Sequence, residues 1–393
     1  AFKDYAGTFD THNATLVPNG SDKIGGVTAN AILATEGIAV TLVFIDSTQG
    51  WLVTDSGLQD EAPGAQFITA TGGNTTITCG NFKTHIFTGP GTFTVCSVGN
   101  AAGSNTVDYL VVAAGGGSGA DGGAGAGAGG FRYSSSIGLP APLNSPLSNP
   151  AGLPVSAQSY PIAIGSGGTG SPGGNAPSGI GTNGGSSTFS TITSAGGGFG
   201  GNYHGGTTPS YPGGSGGSGG GATRSIPAGC NPAPGGAGNT PPVSPPQGNP
   251  GGGQSFPTGS STSSGGGGAG AAAANITSDT PSQCDGGIGS FIDNNFIGPT
   301  APSYGEAGPV SNTRYFAGGG GGGKDGDSPN GGSAGDGGVG GGGDGGSGDA
   351  SPRNASAGSA NMGGGGGGQG TGTQPGSAAG GSGIVMLRYK FQN

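Results

Sequence analysis

Apolar residues are concentrated in the first 113 positions and in the last ten, and the long stretch between them contains few. Within the first 60 residues, β-branched and aromatic runs alternate with turn signals, which predicts a small β module. Its expected strands lie near Ala14–Pro18, Ala31–Ala34, Ala39–Asp46 and Gly50–Thr54. The run Val40–Ile45 is apolar on both strand faces. Because about 60 residues provide little core to cover both faces, we expect this module to pack against neighbouring chains.

A second β unit is expected after the break at Pro63-Gly64, with strands near Thr75–Cys79, Phe82–Thr88, Thr92–Val98 and Val107–Ala113. The strand signal returns at Ile384–Tyr389, and its natural partner is Tyr109–Val112. If these strands pair, the chain between them becomes a closed domain. The expected organisation is therefore an N-terminal module (1–62), a β-meander with an entry strand (63–113), a glycine-rich domain (114–383) and a C-terminal strand (384–393) that pairs with 107–113.

Glycine occupies 103 of the 393 positions and is concentrated after Ala113 in runs such as Gly318–Gly323. Ordering each residue costs about 1–2 kcal/mol of conformational entropy, and glycine has no side chain to offset that cost. Straight polyproline-II segments packed side by side, here called rods, can offset this entropy cost. Their N–H and C=O groups point outward and bond to neighbouring rods, and glycine lets the rods approach closely. We therefore predict an all-β protein with a large domain of bundled polyglycine-II rods and essentially no α-helix. The repeat is not a strict Gly-X-Y, so collagen is a poor interpretation.

The charge balance and the length of the apolar runs each argue against one class of partner. There are 19 acidic and 10 basic side chains, a formal net charge of −9, and no basic cluster that could neutralise phosphates, so we expect no nucleic-acid binding. The longest apolar stretch, Ile38–Ile45, is far shorter than a membrane span, so we expect no membrane insertion.

Four cysteines allow three pairings if all are oxidised: Cys79, Cys96, Cys230 and Cys284. Cys79 and Cys96 flank the β-meander and are candidates to meet across it, while Cys230 and Cys284 would tie two glycine-rich loops together. Low charge and high glycine content suit an extracellular protein, where disulfides persist. The alternative interpretation is four free thiols at small buried positions.

The enzymatic motifs fail on inspection, so we expect no catalysis, metal or cofactor. Gly318–Lys324 has the spacing of a phosphate-binding loop, but Asp325 stands where a magnesium-binding Ser or Thr is needed. The Asp325, Asp327 and Asn330 set departs from calcium-loop spacing. The three histidines, His12, His85 and His204, lie far apart without ligand spacing.

Sugar binding is the chemistry that remains, because aromatic faces stack on pyranose rings and polar side chains supply directional hydrogen bonds. The irregular stretches between glycine runs provide both kinds of residue, and the receptor-binding candidates are Tyr203, His204, Tyr211, Phe291, Asp293, Asn294, Asn295, Phe296, Tyr304, Arg314 and Tyr315. The alternative is that these aromatics plug the ends of the glycine bundle as small satellite cores. Five N-x-Ser/Thr sequons begin at Asn13, Asn19, Asn74, Asn275 and Asn354.

Several stretches together resemble one group of proteins: Asn105–Gly117, Ser187–Gly198, Asn239–Asn249, Tyr315–Gly323 and Gly381–Gln392, with Asn19–Lys23 and Thr35–Trp51 in the N-terminal module. They are similar to the glycine-rich tail-fibre proteins of marine bacteriophages. The resemblance implies a virion fibre or fibre tip, usually a homotrimer, that joins other virion tail proteins and attaches to a host cell-surface glycan or outer-membrane protein. It also implies a polyglycine-II sandwich.

Two other functions remain open. One is a structural extracellular filament or matrix protein, made rigid by glycine packing and carrying glycans on the sequons. The other is ice binding by a flat polyglycine face.

Overall fold

The computed structural model describes residues 1–57, 65–100, 103–172, 179–202, 212–223, 233–255, 261–278, 283–298, 303–326, 333–348, 353–371 and 376–393. The chain forms two compact units, one of residues 1–66 with 100–102 and one of residues 67–99 with 103–393. The expected segments 63–113, 114–383 and 384–393 thus lie almost entirely in one unit. The reason is that strands from all three share sheets, as set out below.

The N-terminal unit contains a three-stranded and a two-stranded antiparallel sheet. Its strands are β1 (Phe2–Lys3), β2 (Ala14–Leu16), β3 (Ala31–Leu33), β4 (Ala39–Asp46) and β5 (Gly50–Gly57). The first sheet has the order β1-β4-β5, and the second pairs β2 with β3. The buried carboxylate of Asp4 accepts hydrogen bonds from the backbone N–H groups of Thr8, Phe9 and Gly37, each at 3.0 Å, and so fixes the chain around β1.

The second unit is also built from strands. They are β6 (Thr69–Thr71), β7 (Thr75–Cys79), β8 (Phe82–Phe87), β9 (Gly91–Ser97), β10 (Thr106–Val112), β11 (Phe131–Ser134), β12 (Ser148–Asn149), β13 (Leu153–Pro154), β14 (Ser159–Ala163), β15 (Ser187–Phe189), β16 (Ile192–Ser194), β17 (Ser290–Ile292), β18 (Glu306–Ala307), β19 (Arg314–Phe316) and β20 (Ile384–Lys390). The one helix in the described part of the chain is α1 (Asn294–Ile297). The prediction of a nearly all-β protein is confirmed.

The two strongest strand signals, β10 and β20, are antiparallel neighbours at the centre of the largest sheet, and their register runs from Asp108 opposite Arg388 to Val112 opposite Ile384. That sheet has the order β12-β11-β10-β20-β8-β7, with β13 also paired to β10. A second sheet has the order β16-β15-β14-β9-β6. Between the two sheets, Phe87, Phe93, Phe189 and Tyr389 join one buried apolar cluster. The β-meander residues thus belong to the same sandwich as the C-terminal strand.

The opposite face of the largest sheet is covered by the segment around α1. A third sheet of order β17-β19-β18 lies in this segment. Ile292, Phe296 and Phe316 from this segment pack against Leu110 and Met386 of the central strands in a second buried cluster. Both faces of β10 and β20 are therefore buried, as the apolar runs Tyr109–Val112 and Ile384–Leu387 require.

At one end of the sheets the strands pass directly into straight glycine-rich segments, which we call rods. The strands β10, β14, β16 and β19 each lead into a rod, and rods lead into β11, β15, β17 and β20. The side-chain layers end there, because the apolar residues stop and glycine begins.

The rod of residues 123–130 shows how the bundle is bonded. Every third N–H group donates to the same neighbour: those of Gly123, Ala126 and Gly129 donate to the carbonyls of Gln369, Gly366 and Gly363, each at 2.9 Å. The next set in register, Ala124, Gly127 and Gly130, donates to Gly201, Gly198 and Ala195. Gly125 and Ala128 donate to Ser264 and Gly267. A period of three is that of polyproline II, as predicted for polyglycine-II rods.

The same rod accepts hydrogen bonds from three further rods. Donors to its carbonyls come from Gly320 and Gly323, from Gly116 and Gly119, and from Ser218 and Gly221. Six neighbours therefore surround it, and main-chain bonds supply the cohesion that side chains supply in an ordinary core. The spacing leaves no room for added atoms at most glycines: a Cβ on Gly125 would lie 2.0 Å from the carbonyl oxygen of Gly320.

Candidate functional site

The bundle of rods has one end next to the sheets and another end away from them. We call the second one the far end. It is defined by the turn at residues 120–122 and by the rod residues at that level. The backbone N–H of Gly123 donates to Gln369, that of Ala124 to Gly201, and the carbonyl of Gly123 accepts from Gly323. Single β-bridges join further rods there: Ala233 with Gln254, Gln254 with Ile276, Thr262 with Lys324, Lys324 with Ser347, and Ser347 with Arg353.

Eight of the nine stretches that follow the turn at 120–122 and lie outside the described residues are flanked by rod residues on this side. Their ranges are 173–178, 203–211, 224–232, 256–260, 279–282, 327–332, 349–352 and 372–375. The hydrogen-bond register fixes this placement: Ser171 bonds to Ser118, Gly221 to Gly125 and Ala378 to Ser118, all next to the 120–122 turn. The rod residues that flank these stretches therefore lie on the side of the bundle away from the sheets, while described connections such as 239–247 lie beside the sheets.

Polar side chains close the rods at the far end. Asn202 accepts a hydrogen bond from the N–H of Ala120 at 3.0 Å, and its side-chain amide donates to Ser171 Oγ at 3.1 Å and to the carbonyl of Gly179 at 3.0 Å. Ser118 Oγ accepts from the N–H of Ala378 at 2.8 Å. These bonds satisfy backbone groups that have no further rod residue to meet, so each rod ends in a defined position.

Charged residues take part in this layer. Lys324 is buried, and Asp325 Oδ1 accepts a hydrogen bond from Thr371 Oγ1 at 2.7 Å. Thr371 Oγ1 in turn accepts from the N–H of Gly326 at 2.9 Å. The phosphate-loop spacing of Gly318–Lys324 has no counterpart in the structure. That segment is a rod, and the N–H groups of Gly318–Gly323 each donate to another rod, so they are not available to an anion.

Eight of the eleven candidate residues from the sequence lie in the described part of the chain. Tyr203, His204 and Tyr211 lie outside the described residues, in the segment that begins after Asn202 at the far end. The other eight lie in the segment around α1, next to the largest sheet.

Four of the eight residues around α1 are buried and two are half-buried. Phe291 and Tyr315 pack against each other with ring centroids 5.2 Å apart, and Phe296 lies in the apolar cluster with its ring 5.3 Å from that of Tyr133. Arg314 is half-buried and its Nε donates to the carbonyl of Tyr304 at 2.8 Å. Tyr304 is partly buried against the same cluster. These positions match the satellite-core alternative for the aromatics.

Asp293 is buried at the start of α1 and is fully engaged in hydrogen bonds. Its Oδ2 accepts from Tyr133 Oη at 2.6 Å and from Ser135 Oγ at 3.0 Å, and its Oδ1 accepts from the N–H of Asn295 at 3.0 Å. The last bond caps the helix. Burial raises the pKa of Tyr133 well above its ordinary value, and the neighbouring Asp293 carboxylate raises it further. Asn294 and Asn295 are the two exposed members of this set.

The cysteine pairing between Cys79 and Cys96 is absent, and both are free thiols. The physical reason is that their strands belong to different sheets: β7 pairs with β8, whereas β9 pairs with β14 and β6. Cys284 is buried, and Cys230 lies outside the described residues. All five sequon asparagines, Asn13, Asn19, Asn74, Asn275 and Asn354, are exposed.

Sequence reasoning missed one buried pair of charges, Asp108 and Arg388, which face each other across β10 and β20. A signal was present, because each is the only charged residue within the apolar core of its strand. Within the described ranges, no group of three or more His, Cys, Asp or Glu side chains is arranged to hold a metal ion. The same ranges contain no helix that is both long and apolar enough to cross a membrane.

The profile of a family described as a glycine-rich domain matches residues 87–390. The chain belongs to this glycine-rich domain family. The matched range begins at the end of β8 and closes at the end of β20, so the glycine-rich domain includes the strands that clamp the rods as well as the rods themselves. No curated protein matches the chain.

Proposed function

We propose that this chain is an attachment protein of a bacteriophage tail fibre or fibre tip, located on the virion outside cells. It binds a host cell-surface glycan or outer-membrane protein, joins other virion tail proteins, and performs no catalysis. In this proposal the glycine-rich domain is a rigid platform, and the segments that connect its rods at the far end make the contact with the host.

The observation that carries the proposal is the separation of the two ends of the bundle. Strands flank the rods at one end, and the rod residues that border eight of the nine later stretches outside the described residues lie at the other. Main-chain bonds between rods and side-chain caps such as Asn202 hold the rod ends in place. Recognition residues are commonly placed on connections of this kind, because a rigid scaffold positions them while their sequence is free to change.

The direct experiment replaces residues 203–211, which contain Tyr203, His204 and Tyr211, with a Gly/Ser segment of equal length. Binding of the purified full chain to host cells, or its competition with virion adsorption, is then measured. We expect binding to be lost while the melting temperature stays near that of the parent chain.

The matched control is the double substitution Asn294→Ala with Asn295→Ala, two exposed positions next to the sheets. We expect this variant to bind as the parent does. If the control loses binding and the 203–211 variant keeps it, recognition takes place around α1 and the far-end proposal is wrong.

One observation favours the second candidate function, a structural extracellular filament or matrix protein. The five sequon asparagines are all exposed and could accept glycans in a eukaryotic secretory pathway. Mass spectrometry of the native protein that shows glycans at these sites, together with micrographs of open-ended polymers without virions, would support the filament and contradict the attachment proposal.

A further inference from the structure

The chain contains three Asn-Gly pairs, and two of them lie in very different surroundings. Asn19-Gly20 belongs to the N-terminal unit and Asn183-Gly184 to a rod, while Asn330-Gly331 lies outside the described residues. An asparagine that precedes glycine is open to attack on its side-chain amide by the next backbone nitrogen, because glycine has no Cβ to obstruct the approach. The reaction therefore depends on how freely these two groups can meet.

Both groups are free at Asn19. Asn19 and Gly20 are exposed, and apart from the chain neighbours no atom lies within 4 Å of the position of a Cβ on Gly20. Within the described part of the chain, no hydrogen bond engages the side-chain amide of Asn19 or the N–H of Gly20. The carbonyl of Asn19 accepts from the N–H of Asp22 at 3.0 Å, and Gly20 has a φ of +59°, so the pair lies in a tight turn.

The corresponding groups are held in place at Asn183. Its Nδ2 donates to the carbonyl of Ser215 at 3.1 Å, and its Oδ1 accepts from the N–H of Phe199 at 3.0 Å. The N–H of Gly184 donates to the carbonyl of Gly197 at 2.9 Å. Three hydrogen bonds must break before the Gly184 nitrogen can reach the side chain.

Access of water does not distinguish the two sites, because Asn183 is exposed as Asn19 is. The backbone does distinguish them. A Cβ on Gly184 would lie 2.2 Å from the carbonyl oxygen of Ala114, so the chain after Asn183 is packed tightly against another rod. Ring closure requires the asparagine backbone to rotate, and the extended polyproline-II geometry of a rod opposes that rotation.

We propose that Asn19 is a site of spontaneous covalent modification, at which the chain converts its own asparagine to isoaspartate and aspartate. The Gly20 nitrogen loses its proton and forms a bond to Cγ of Asn19. The bond from Cγ to Nδ2 breaks, and ammonia leaves with that proton, so that a five-membered imide remains. No oxidant or reductant is needed.

Water then opens the imide. If its oxygen adds to Cγ, the bond from Cγ to the Gly20 nitrogen breaks and aspartate forms. If it adds to the main-chain carbonyl carbon of residue 19, the original peptide bond breaks and the chain runs through Cγ as isoaspartate. In both cases a water proton returns to the Gly20 nitrogen, and the new acid ionises to a carboxylate.

The conversion changes the charge of one surface of the N-terminal unit. Asn19 and Asp22 line an open groove of about 480 Å³ together with apolar residues such as Leu42 and Trp51. A carboxylate at position 19 stands beside that of Asp22, and the added negative charge favours cationic over neutral groups at this edge. The converted residue also lacks the amide nitrogen at which the sequon that begins at Asn19 would accept a glycan. The proposal does not depend on what the far end of the glycine-rich domain binds.

The test incubates the purified full chain in oxygen-18 water at mildly alkaline pH, where the attacking nitrogen is more often deprotonated. Peptide mass spectrometry then follows both asparagines, and the heavy oxygen marks each conversion that takes place during the incubation. We expect Asn19 to convert at least about tenfold faster than Asn183, because three hydrogen bonds must first break at Asn183. Isoaspartate and aspartate should both form at Asn19. Aspartate alone would indicate direct hydrolysis and would overturn the imide route.

The same incubation in denaturant is the matched control. The sequences Asn19-Gly20-Ser21 and Asn183-Gly184-Gly185 are nearly alike, so the two asparagines should convert at similar rates once circular dichroism shows that the chain is unfolded. If Asn19 converts no faster than Asn183 in the folded chain, while both convert in denaturant, the proposal is wrong.

Two variants test the role of each reacting group. Asn19→Gln lengthens the side chain, so the same attack would need a larger ring, and the product at position 19 should disappear. Gly20→Ala adds a methyl group beside the attacking nitrogen and should slow the conversion. Anion-exchange chromatography of the aged parent chain should show a more acidic species, because each conversion adds one negative charge. An equal amount of that species from aged Asn19→Gln would place the reaction elsewhere and would overturn the proposal.

Discussion

Asp108 and Arg388 are separated by 280 positions in the sequence and form a buried ion pair between the strand that enters the rods and the strand that leaves them. The Oδ2 to Nη1 distance is 3.3 Å, and both side chains are 4% exposed. Ser136 donates two further hydrogen bonds to the Asp108 carboxylate, at 3.0 Å from its N–H and 2.8 Å from its hydroxyl. The Arg388 guanidinium lies 3.6 Å from the centre of the Phe82 ring. Burial lowers the pKa of Arg388, and the nearby carboxylates oppose that effect.

The first prediction concerns this pair. Arg388→Met should lower the free energy of unfolding by about 3–5 kcal/mol, because it leaves the Asp108 carboxylate buried without its counter-charge. The double variant with Asp108→Leu should recover part of the loss, since neither member of the pair then leaves an uncompensated charge. Urea unfolding checks both, and Arg132→Met, a half-buried arginine on the adjacent strand β11, is the control that should change stability little. A double variant less stable than Arg388→Met would contradict this account.

The second prediction distinguishes structure from recognition at α1. Asp293→Ala removes the helix cap and leaves the hydroxyls of Tyr133 and Ser135 buried without their acceptor. We expect a loss of about 2–4 kcal/mol, from one lost cap and at least one unsatisfied buried group. Thermal unfolding measures it. Asn295→Ala changes an exposed residue of the same helix and should leave the melting temperature unchanged. An unchanged melting temperature for Asp293→Ala would show that the buried network contributes little.

The third prediction tests rod packing. Gly125→Ala places a Cβ 2.0 Å from the carbonyl oxygen of Gly320, so the rods must move apart and several main-chain bonds must lengthen. The cost should exceed the about 1–3 kcal/mol of ordinary over-packing, because backbone rather than a flexible side chain is in the way. Gly89→Ala is the matched control, since no atom lies within 4 Å of its added Cβ. Equal melting temperatures for the two variants would mean that the rods tolerate side chains.

The fourth prediction is a pH dependence that arises at His85. Its ring is buried, Nδ1 lies 2.6 Å from the carbonyl of Gly72, and Nε2 lies 3.1 Å from Tyr389 Oη. This arrangement suits a neutral ring that donates from Nδ1 and accepts at Nε2. Burial lowers the pKa of His85, and the charge of Lys83 lowers it further.

The unfolded chain binds a proton at His85 near pH 6.5, while the folded chain binds it only at lower pH. The free energy of unfolding should therefore fall as the pH decreases below about 6.5, down to the folded pKa. Urea unfolding between neutral and mildly acidic pH measures the slope. His85→Gln should reduce the slope, whereas His12→Gln at an exposed position is the control. A slope that His85→Gln leaves intact would assign the pH dependence to other groups.

Much of the strand structure could be read from the sequence. The strands predicted at Ala39–Asp46 and Thr75–Cys79 are present with those bounds, and the pairing of Ile384–Tyr389 with Tyr109–Val112 is also seen. These strands can be predicted from the sequence because their side chains alternate between apolar and polar or form apolar runs. Such patterns strongly limit how each strand can be buried.

The role of the candidate site residues was harder to predict from the sequence. An aromatic residue in an irregular stretch is compatible with a sugar platform and with a small core, and only the neighbours decide between them. Phe296 lies against Tyr133 because residues from distant parts of the chain meet on one face of the largest sheet. Cys79 and Cys96 lie on strands that are close in the sequence and yet belong to different sheets.

The sequence by itself determined where side-chain packing ends and main-chain packing begins, because the apolar run stops at Val112 and resumes at Ile384 with glycine-rich chain between them. Only the tertiary structure decided which rods are neighbours, such as Ala126 and Gly366. The physical reason is that every glycine offers the same N–H and C=O groups, so no side chain along a rod specifies its partner. The partners follow from the strands that clamp one end and the connections that join the other.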